Sequence, residues 1–362
     1  MLRNRKLILS LVIGLLFSGA AIGLSFRNVP FSEVWSYVRC INPWHIVLSV
    51  ALSLSTFLVR AVRWRTILAP VKRIGTSHAF HPLVIAFAIN CILPGRMGEL
   101  ARPAILYKRD HVEFSKVLST VVVERIFDIF TLLVLFVSVL GMVEMSPSVS
   151  LTFNGYDINR DTLFAIRTKT LLAGCVLLGS IVMLMVPVTR SLIARFISWL
   201  PHVLVFTTAH YRQRLSQLFH DRSHAILDNI ALGFQVLKSP ATIATCILLS
   251  AAIWVITFCS FYVIVLGSEG VSIDFIQASA VVIFICFFIM LPSVPGYWGI
   301  WEIGGIYGLM LFGVPKVEAA GITLTYHVFQ VVPLILMGLF SAWFIGVNIV
   351  QTGLHSRDEI PR

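Results

Sequence analysis

The sequence predicts an all-α polytopic membrane protein: a single membrane domain over 1–362, with six full transmembrane helices plus two re-entrant or broken helical hairpins arranged as inverted repeats. Apolar residues make up 57% of the chain and charged residues only 12%, against about 25% charged in a soluble domain. The mean hydropathy is +0.89. Two apolar segments are broken by the same Pro-Gly-x-x-Gly pattern, at 94–98 and 295–299. Paired interruptions in two halves of a membrane protein are typical of inverted-repeat transporters.

The net charge of +11 is assigned to basic loops on the cytoplasmic face, where each basic residue gains roughly 1 kcal/mol against anionic lipid. We therefore expect no nucleic-acid partner. The six cysteines show no CxxC spacing, so neither a disulfide framework nor a zinc site is indicated. The chain also lacks a GxxxxGK[ST] loop, which argues against nucleotide-driven pumping. We expect no cofactor and no metal site.

The first half of the domain covers 1–188. Its predicted elements are, in order, span 7–26, external loop 27–43, span 44–62, a broken hairpin near 80–108, span 119–142, external loop 144–168 and span 169–188. Basic residues precede the first span, which places the amino terminus in the cytoplasm, and the span is expected to stay uncleaved. Arg60, Arg63 and Arg65 at the end of the second span are interpreted as snorkelling to the inner interface.

The first break follows an apolar segment, 80–93, that is short for a span. Its hinge residues are Pro94, Gly95 and Gly98, and its charged residues are Arg96, Glu99 and Arg102. Charges near membrane depth are costly unless they face protein, water or a polar ligand. Basic residues flank the segment on both sides, so we expect a hairpin that enters and leaves on the cytoplasmic side.

The span at 119–142 carries Glu124, Arg125 and Asp128 near its start. The two carboxylates are four residues apart and therefore share one face of the helix. Like charges there repel unless a cation pairs with them, and Arg96 and Arg102 are the expected partners.

A basic amphipathic segment at 189–240 separates the halves. It carries six Lys or Arg against two acids, which predicts interfacial helices bound to anionic lipid. His220 and His224 have the spacing of a ligand pair, but no HExxH motif accompanies them. They are interpreted as solvated histidines.

The second half covers 241–362. Its predicted elements are span 241–267, a broken hairpin near 275–314 and a long final helix at 319–350 interrupted by Pro333. Its hinge residues are Pro295, Gly296 and Gly299. This hairpin enters from outside, opposite to the first, and both termini are cytoplasmic. If each hairpin is instead a pair of full crossings, the inversion is unchanged.

Three motifs make a family resemblance visible. The runs at 93–102, 124–128 and 295–302 together resemble the lysylphosphatidylglycerol synthase transmembrane-region family of flippase-like proteins, over roughly 7–350. The resemblance implies an integral membrane protein of bacteria or archaea that moves lipid head groups across the bilayer or serves lipid and glycolipid pathways. Synthases of the family append a soluble aminoacyl-transferase domain, and we do not carry that activity over. Bulky Tyr297 and Trp298 depart from the small residues expected after Pro-Gly.

These residues favour a flippase-like transporter of the cytoplasmic membrane. The substrate is a phospholipid or a polyprenyl- or glycolipid-linked phosphate. Arg96 and Arg102 suit a phosphate, while Glu99, Glu124 and Asp128 balance the arginines or take protons. The matching element on the outer side consists of Tyr297, Trp298, Trp301 and Glu302.

Several alternatives remain open at this point. The first alternative is that the charged residues form a purely structural salt-bridge network. The second is that the aromatic residues form an outer interfacial belt, and the third is that the glycines serve helix packing alone. The rival functions are a membrane-embedded enzyme of lipid or glycolipid modification, with Glu124 and Asp128 as its carboxylates, and a non-transporting scaffold for lipid or envelope synthesis.

Overall fold

A computed structural model describes residues 26–27, 29–93, 96–142, 151–153, 156–158, 187–199, 239–290 and 295–348, with scattered positions at 16–23 and 168–183. Its helices are α1 (Phe31–Cys40), α2 (Pro43–Leu68), α3 (Thr76–Ile92), α4 (Gly98–Asp110), α5 (Phe114–Met142), α6 (Pro187–Trp199), α7 (Pro240–Leu266), α8 (Phe275–Phe288), α9 (Ile300–Met310) and α10 (Lys316–Phe344). Two short strands, β1 (Leu151–Phe153) and β2 (Tyr156–Ile158), pair antiparallel.

Local capping explains where several helices begin. The side chain of Asn42 accepts a hydrogen bond from the Trp44 amide, and Pro43 occupies the first turn of α2. Ser239 caps α7 in the same way. Asp274 and Gln277 form a reciprocal capping box at the start of α8. Each cap satisfies amides that a helix start otherwise leaves unpaired.

The prediction of a predominantly helical membrane protein is confirmed. Within the described residues, α2, α7 and α10 are long and apolar enough to cross a membrane. The 29-residue α5 carries Lys116, Glu124, Arg125 and Asp128 along an otherwise apolar helix. The predicted spans 7–26 and 169–188 lie largely outside the described residues, so the count of six spans stays a prediction.

Both predicted breaks are present as helical hairpins. In the first, α3 and α4 have 17 and 13 residues, and in the second, α8 and α9 have 14 and 11. All four helices are shorter than the ~20 residues that cross a bilayer. A Cβ at Gly304 would lie 2.8 Å from the Ile285 Cα, so α9 packs on α8 almost backbone to backbone. The hinge residues Pro94 and Gly95 lie outside the described residues.

The two halves meet along an antiparallel pair of helices, α2 and α7. The Ser49 hydroxyl donates to the Ser260 carbonyl oxygen at 2.7 Å, and the Ser260 hydroxyl donates to the Ser49 carbonyl oxygen at 2.9 Å. At the end of the pair, the Asn42 amide donates to the Gly267 carbonyl oxygen at 2.9 Å. These bonds join the beginning of α2 to the end of α7.

Some local predictions need correction. Pro333 does not interrupt the final helix, because α10 runs through it as one 29-residue element. The loop predicted at 27–43 contains the short helix α1, and the loop at 144–168 contains the β1–β2 hairpin. In the basic segment, α6 lies where helical spacing of apolar residues predicted a helix, and Leu192 and Phe196 on it are exposed. The rest of 200–238, with His220 and His224, lies outside the described residues.

Candidate functional site

The two breaks contact each other. The Arg96 guanidinium donates from Nη2 to the Ile289 carbonyl oxygen, at 2.9 Å, just past the end of α8. Its central carbon also lies 6.0 Å from the centroid of the Tyr297 ring. Arg96 and Tyr297 both have positive φ angles, 52° and 64°, which are uncommon for residues other than glycine. The same position of each Pro-Gly-x-x-Gly motif is therefore left-handed, and the two side chains face each other.

A cluster of buried charges lies beside the first break, between α2, α4 and α5. Glu124 is the centre of this charged cluster, since its two oxygens pair with Arg63, at 3.1 Å, and with Arg102. Asp128, one turn further along α5, pairs with Arg63 at 2.7 Å and with Arg125 at 3.2 Å. Arg125 reaches Glu99 at 3.3 Å. The expected pairing of Arg102 is confirmed for Glu124, whereas the expected pairing of Arg96 with these carboxylates is wrong, because Arg96 binds the second break instead.

The interpretation of Arg63 as a snorkelling residue is wrong. Its side chain is 0% exposed, pairs with both α5 carboxylates and donates to the Ser250 hydroxyl of α7 at 2.7 Å. Arg60, one turn earlier, lies 4.0 Å from Asp128. The exposed Arg65 fits the interpretation. The i,i+3 spacing of two arginines on an apolar helix was the available signal, because it places both cations on one face.

Phe87 of α3 holds the guanidinium groups together. Its ring centroid lies 5.5, 5.3 and 5.5 Å from the central carbons of Arg60, Arg102 and Arg125. Arg102 also lies 5.2 Å from the Trp64 ring. Each such contact is worth about 0.5–2 kcal/mol where water is excluded. The attraction of the three guanidinium groups to the Phe87 ring partly offsets their mutual repulsion.

The charged cluster keeps an excess of cationic donors. Within the described residues it contains Arg60, Arg63, Arg102 and Arg125 against Glu99, Glu124 and Asp128. Buried N–H groups without a hydrogen-bond acceptor in the described structure remain at Nε of Arg63, Nε of Arg102 and Nη2 of Arg125, beside the second oxygen of Glu99, which also lacks a hydrogen-bond partner. A buried donor without an acceptor costs about 1–3 kcal/mol. A bound group that supplies oxygen acceptors to these donors would therefore remove that cost.

Exposure rises toward one end of the charged cluster. The side chains of Glu124 and Arg102 are 0% and 1% exposed, while those of Glu99 and Arg125 reach 26% and 32%. Arg96, beyond them at the meeting point of the breaks, is exposed. The charged cluster is therefore most exposed on the side where the two breaks touch.

The second break has its own buried polar pair. Glu302 of α9 contacts His327 of α10, with 2.6 Å between Oε1 and Nδ1. The other carboxylate oxygen accepts from the Gly299 amide at 2.6 Å. Trp298 and Trp301 pack on the His327 ring, with centroids 4.4 and 4.5 Å away. The aromatic residues of this motif thus cover His327, which the sequence did not single out.

Most of the predicted site residues therefore come together in two adjoining groups. The charged cluster contains Glu99, Arg102, Glu124, Arg125 and Asp128. Tyr297, Trp298, Trp301 and Glu302 lie at the second break, with Arg96 bridging to it. Within the described residues, no group of three His, Cys, Asp or Glu side chains is placed to hold a metal ion.

Long apolar helices, two interrupted hairpins and a buried charged cluster define a polytopic membrane protein with a polar interior. The chain belongs to the family described as the lysylphosphatidylglycerol synthase TM region, whose family model matches residues 11–338. This is a membrane-protein family linked to lipid handling. No match to a curated protein was found.

Proposed function

We propose that the protein is a flippase-like transporter that moves an anionic lipid head group across the membrane, along a polar path between the two broken hairpins. The observation that carries this proposal is the charged cluster, which buries unpaired guanidinium N–H groups and opens where the breaks meet. A phosphate supplies oxygen acceptors and negative charge to such donors. The acyl or prenyl tails stay in the surrounding lipid.

Arg125 and Arg96 are the proposed first contacts of the head group. Both are at the accessible end of the path, and Nη2 of Arg125 is a spare donor beside its partner Glu99. A phosphate arriving there competes with the Glu99 carboxylate for the Arg125 guanidinium. The deeper Arg102 and Arg63 are held by Glu124 and supply a positive field rather than direct contacts.

The packing of the helices supports inverted repeats that relate α2–α5 to α7–α10. In this relation α2 corresponds to α7, α3 to α8, α4 to α9 and α5 to α10. The contact of α3 with α10 then corresponds to that of α8 with α5, and the contact of α4 with α5 corresponds to that of α9 with α10. The antiparallel contact of α2 with α7 fits an axis in the membrane plane, which reverses the direction of corresponding helices. The reciprocal bonds between Ser49 and Ser260 would lie on that axis.

Connectivity and charge support an orientation in the cytoplasmic membrane. The first hairpin begins and ends at the end of the bundle that carries Arg65, Lys72, Arg73, Lys108, Arg109 and Lys116. The second begins at the opposite end, where Glu269 and Asp274 lie. Basic residues concentrate on the cytoplasmic side, so the first hairpin is proposed to enter from the cytoplasm. Anionic lipid bound at 189–240 belongs to the same side.

Reconstitution in liposomes tests the proposal and its rivals together. Purified protein is inserted into vesicles with a fluorescent analogue of phosphatidylglycerol, phosphatidylethanolamine or a polyprenyl phosphate, and movement is read by bleaching from outside. The proposal predicts faster movement than in empty vesicles for at least one anionic lipid, with an unaltered mass spectrum. A chemically altered lipid identifies an enzyme. No acceleration with any of the three leaves a structural network or a scaffold.

A further inference from the structure

The buried contact between Glu302 and His327 requires a proton of its own. The two side chains are 1% and 0% exposed. His327 Nε2 lies 2.7 Å from the Gly296 carbonyl oxygen, and Nδ1 lies 2.6 Å from Glu302 Oε1. Both ring nitrogens are therefore engaged at once, one by the backbone of the second break and one by α9.

Hydrogen counting fixes the protonation of this pair. A carbonyl oxygen only accepts, so Nε2 carries a hydrogen and donates it to Gly296. If Nδ1 and Glu302 Oε1 were both without a proton, two lone pairs would face each other at 2.6 Å. The carboxylate is also held in place, because its second oxygen accepts from the Gly299 amide. One proton therefore lies between the imidazole and the carboxylate, on either partner.

We propose that Glu302 and His327 form a proton-binding site that holds the second break against α10. Release of the proton to water leaves an imidazole and a carboxylate that repel, and the contact between α9 and α10 loosens at Gly296 and Gly299. This inference rests on the proposed function for its biological meaning, since it makes the proton the ion whose binding opens or closes the lipid path.

The surroundings of the pair are apolar and aromatic. The faces of Trp298 and Trp301 cover the imidazole ring and stabilise a positive charge on it. The titratable and charged side chains on the neighbouring elements are Tyr326 of α10, Tyr297 of the turn, Cys91 of α3, Cys286 of α8 and, beyond Tyr297, Arg96, Glu99 and Arg125. Phenols and thiols are neutral near pH 7, which leaves Arg96, Glu99 and Arg125 as the charged groups in this set.

Glu302→Gln is the informative substitution. A glutamine amide donates N–H to Nδ1 while its oxygen still accepts from Gly299, so this variant reproduces the proton-bound contact without a proton. The melting temperatures of the wild type, Glu302→Gln and the exposed control Glu33→Gln are compared in nanodiscs between pH 5.5 and 9. An unfolded His and Glu bind fewer protons above about pH 6.5. The wild type and Glu33→Gln should therefore lose stability as pH rises, by up to about tenfold in the folding equilibrium per pH unit.

Above about pH 6.5 the profile of Glu302→Gln should stay flat, and wild-type and Glu302→Gln profiles that run parallel there would overturn the proposal. Nitrogen NMR on wild-type protein labelled in its ten histidines gives a second test that needs no variant. At pH 8 one histidine should have one ring nitrogen protonated and the other either protonated or shifted by a strong hydrogen bond, and an unprotonated, unshifted nitrogen in all ten histidines overturns the proposal. Neither measurement involves lipid movement, so a failed transport assay and a failed proton site are told apart.

Discussion

Arg96 and Tyr297 occupy the same position of the two Pro-Gly-x-x-Gly motifs, 201 residues apart in the chain, and their side chains face each other with 6.0 Å between guanidinium carbon and ring centroid. Both backbones are left-handed there, with φ angles of 52° and 64°. Such conformations cost of order 1–3 kcal/mol for non-glycine residues and concentrate at functional sites. The breaks thus meet through two strained residues, beside the more exposed end of the charged cluster.

Glu124→Gln should strongly destabilise the protein. The substitution leaves Arg63 and Arg102 facing an uncharged amide in a site from which water is excluded. Removing one partner of a buried ion pair costs about 3–5 kcal/mol. Thermal unfolding in nanodiscs measures the loss. Glu113→Gln is the matched control, because Glu113 is exposed and pairs only at the surface with Lys116. Equal melting temperatures for the two variants would show that the charged cluster is not a stabilising unit.

Phe87→Leu should lower the melting temperature more than Phe136→Leu does. Both substitutions remove one edge-to-face aromatic contact, with Phe57 and Phe287 respectively. Only Phe87 also faces guanidinium groups, and their combined attraction is worth about 1–3 kcal/mol. A loss no larger than that of the Phe136 variant would mean that the ring serves as packing alone.

Gly304→Ala should push α8 and α9 of the second hairpin apart and destabilise the protein. The added Cβ would lie 2.8 Å from the Ile285 Cα, so α8 must shift, at a cost of about 1–3 kcal/mol. In an open helix the same change stabilises by about 1 kcal/mol, so the expected sign is reversed. Gly75→Ser is the control, since nothing lies within 4 Å of that Cβ and the position caps α3. Unchanged or raised stability of Gly304→Ala would contradict the close packing of α8 and α9.

Opposite hairpin orientations predict opposite labelling. In a chain with the exposed Cys40 and Cys175 replaced by Ser, one new cysteine is placed either at Glu113, between α4 and α5, or at Glu269, between α7 and α8. An impermeant maleimide applied to intact cells should label position 269, and position 113 only after the membrane is opened. Labelling of both positions from the same side would rule out inverted repeats for these two hairpins.

Hydropathy and breaker residues were sufficient to predict most of the helical elements. The spans at 44–62 and 241–267 correspond to α2 and α7, and the Pro-Gly motifs mark both breaks. Helix α1 was missed because its ten residues have low overall hydropathy, although Glu33 and Arg39 at its ends suit the helix dipole. Pro333 misled the prediction because a transmembrane helix tolerates proline when its neighbours pack around it.

The candidate site was only partly predictable, because a sequence does not tell which helix faces meet. The two like charges on α5 predicted that Glu124 pairs with a cation from another element, and Arg102 is such a cation. Arg63 was assigned to the interface by its place near a helix end, although the antiparallel contact of α2 with α7 brings it against Ser250. His327 gave no signal, since a single histidine in an apolar helix is usually a packing residue.

Head-group movement in matched vesicles measures whether Arg96 and Arg125 guide an anionic lipid across the membrane. Wild type, Arg96→Gln, Arg125→Gln and the exposed control Arg39→Gln are reconstituted at equal density, each with its melting temperature recorded. Arg96 lies outside the ion pairs of the charged cluster, so Arg96→Gln should stay folded. Arg96→Gln and Arg125→Gln should slow the movement of an anionic lipid at least tenfold, while Arg39→Gln matches the wild type. Wild-type rates for folded Arg96→Gln and Arg125→Gln would exclude a lipid path along these two arginines.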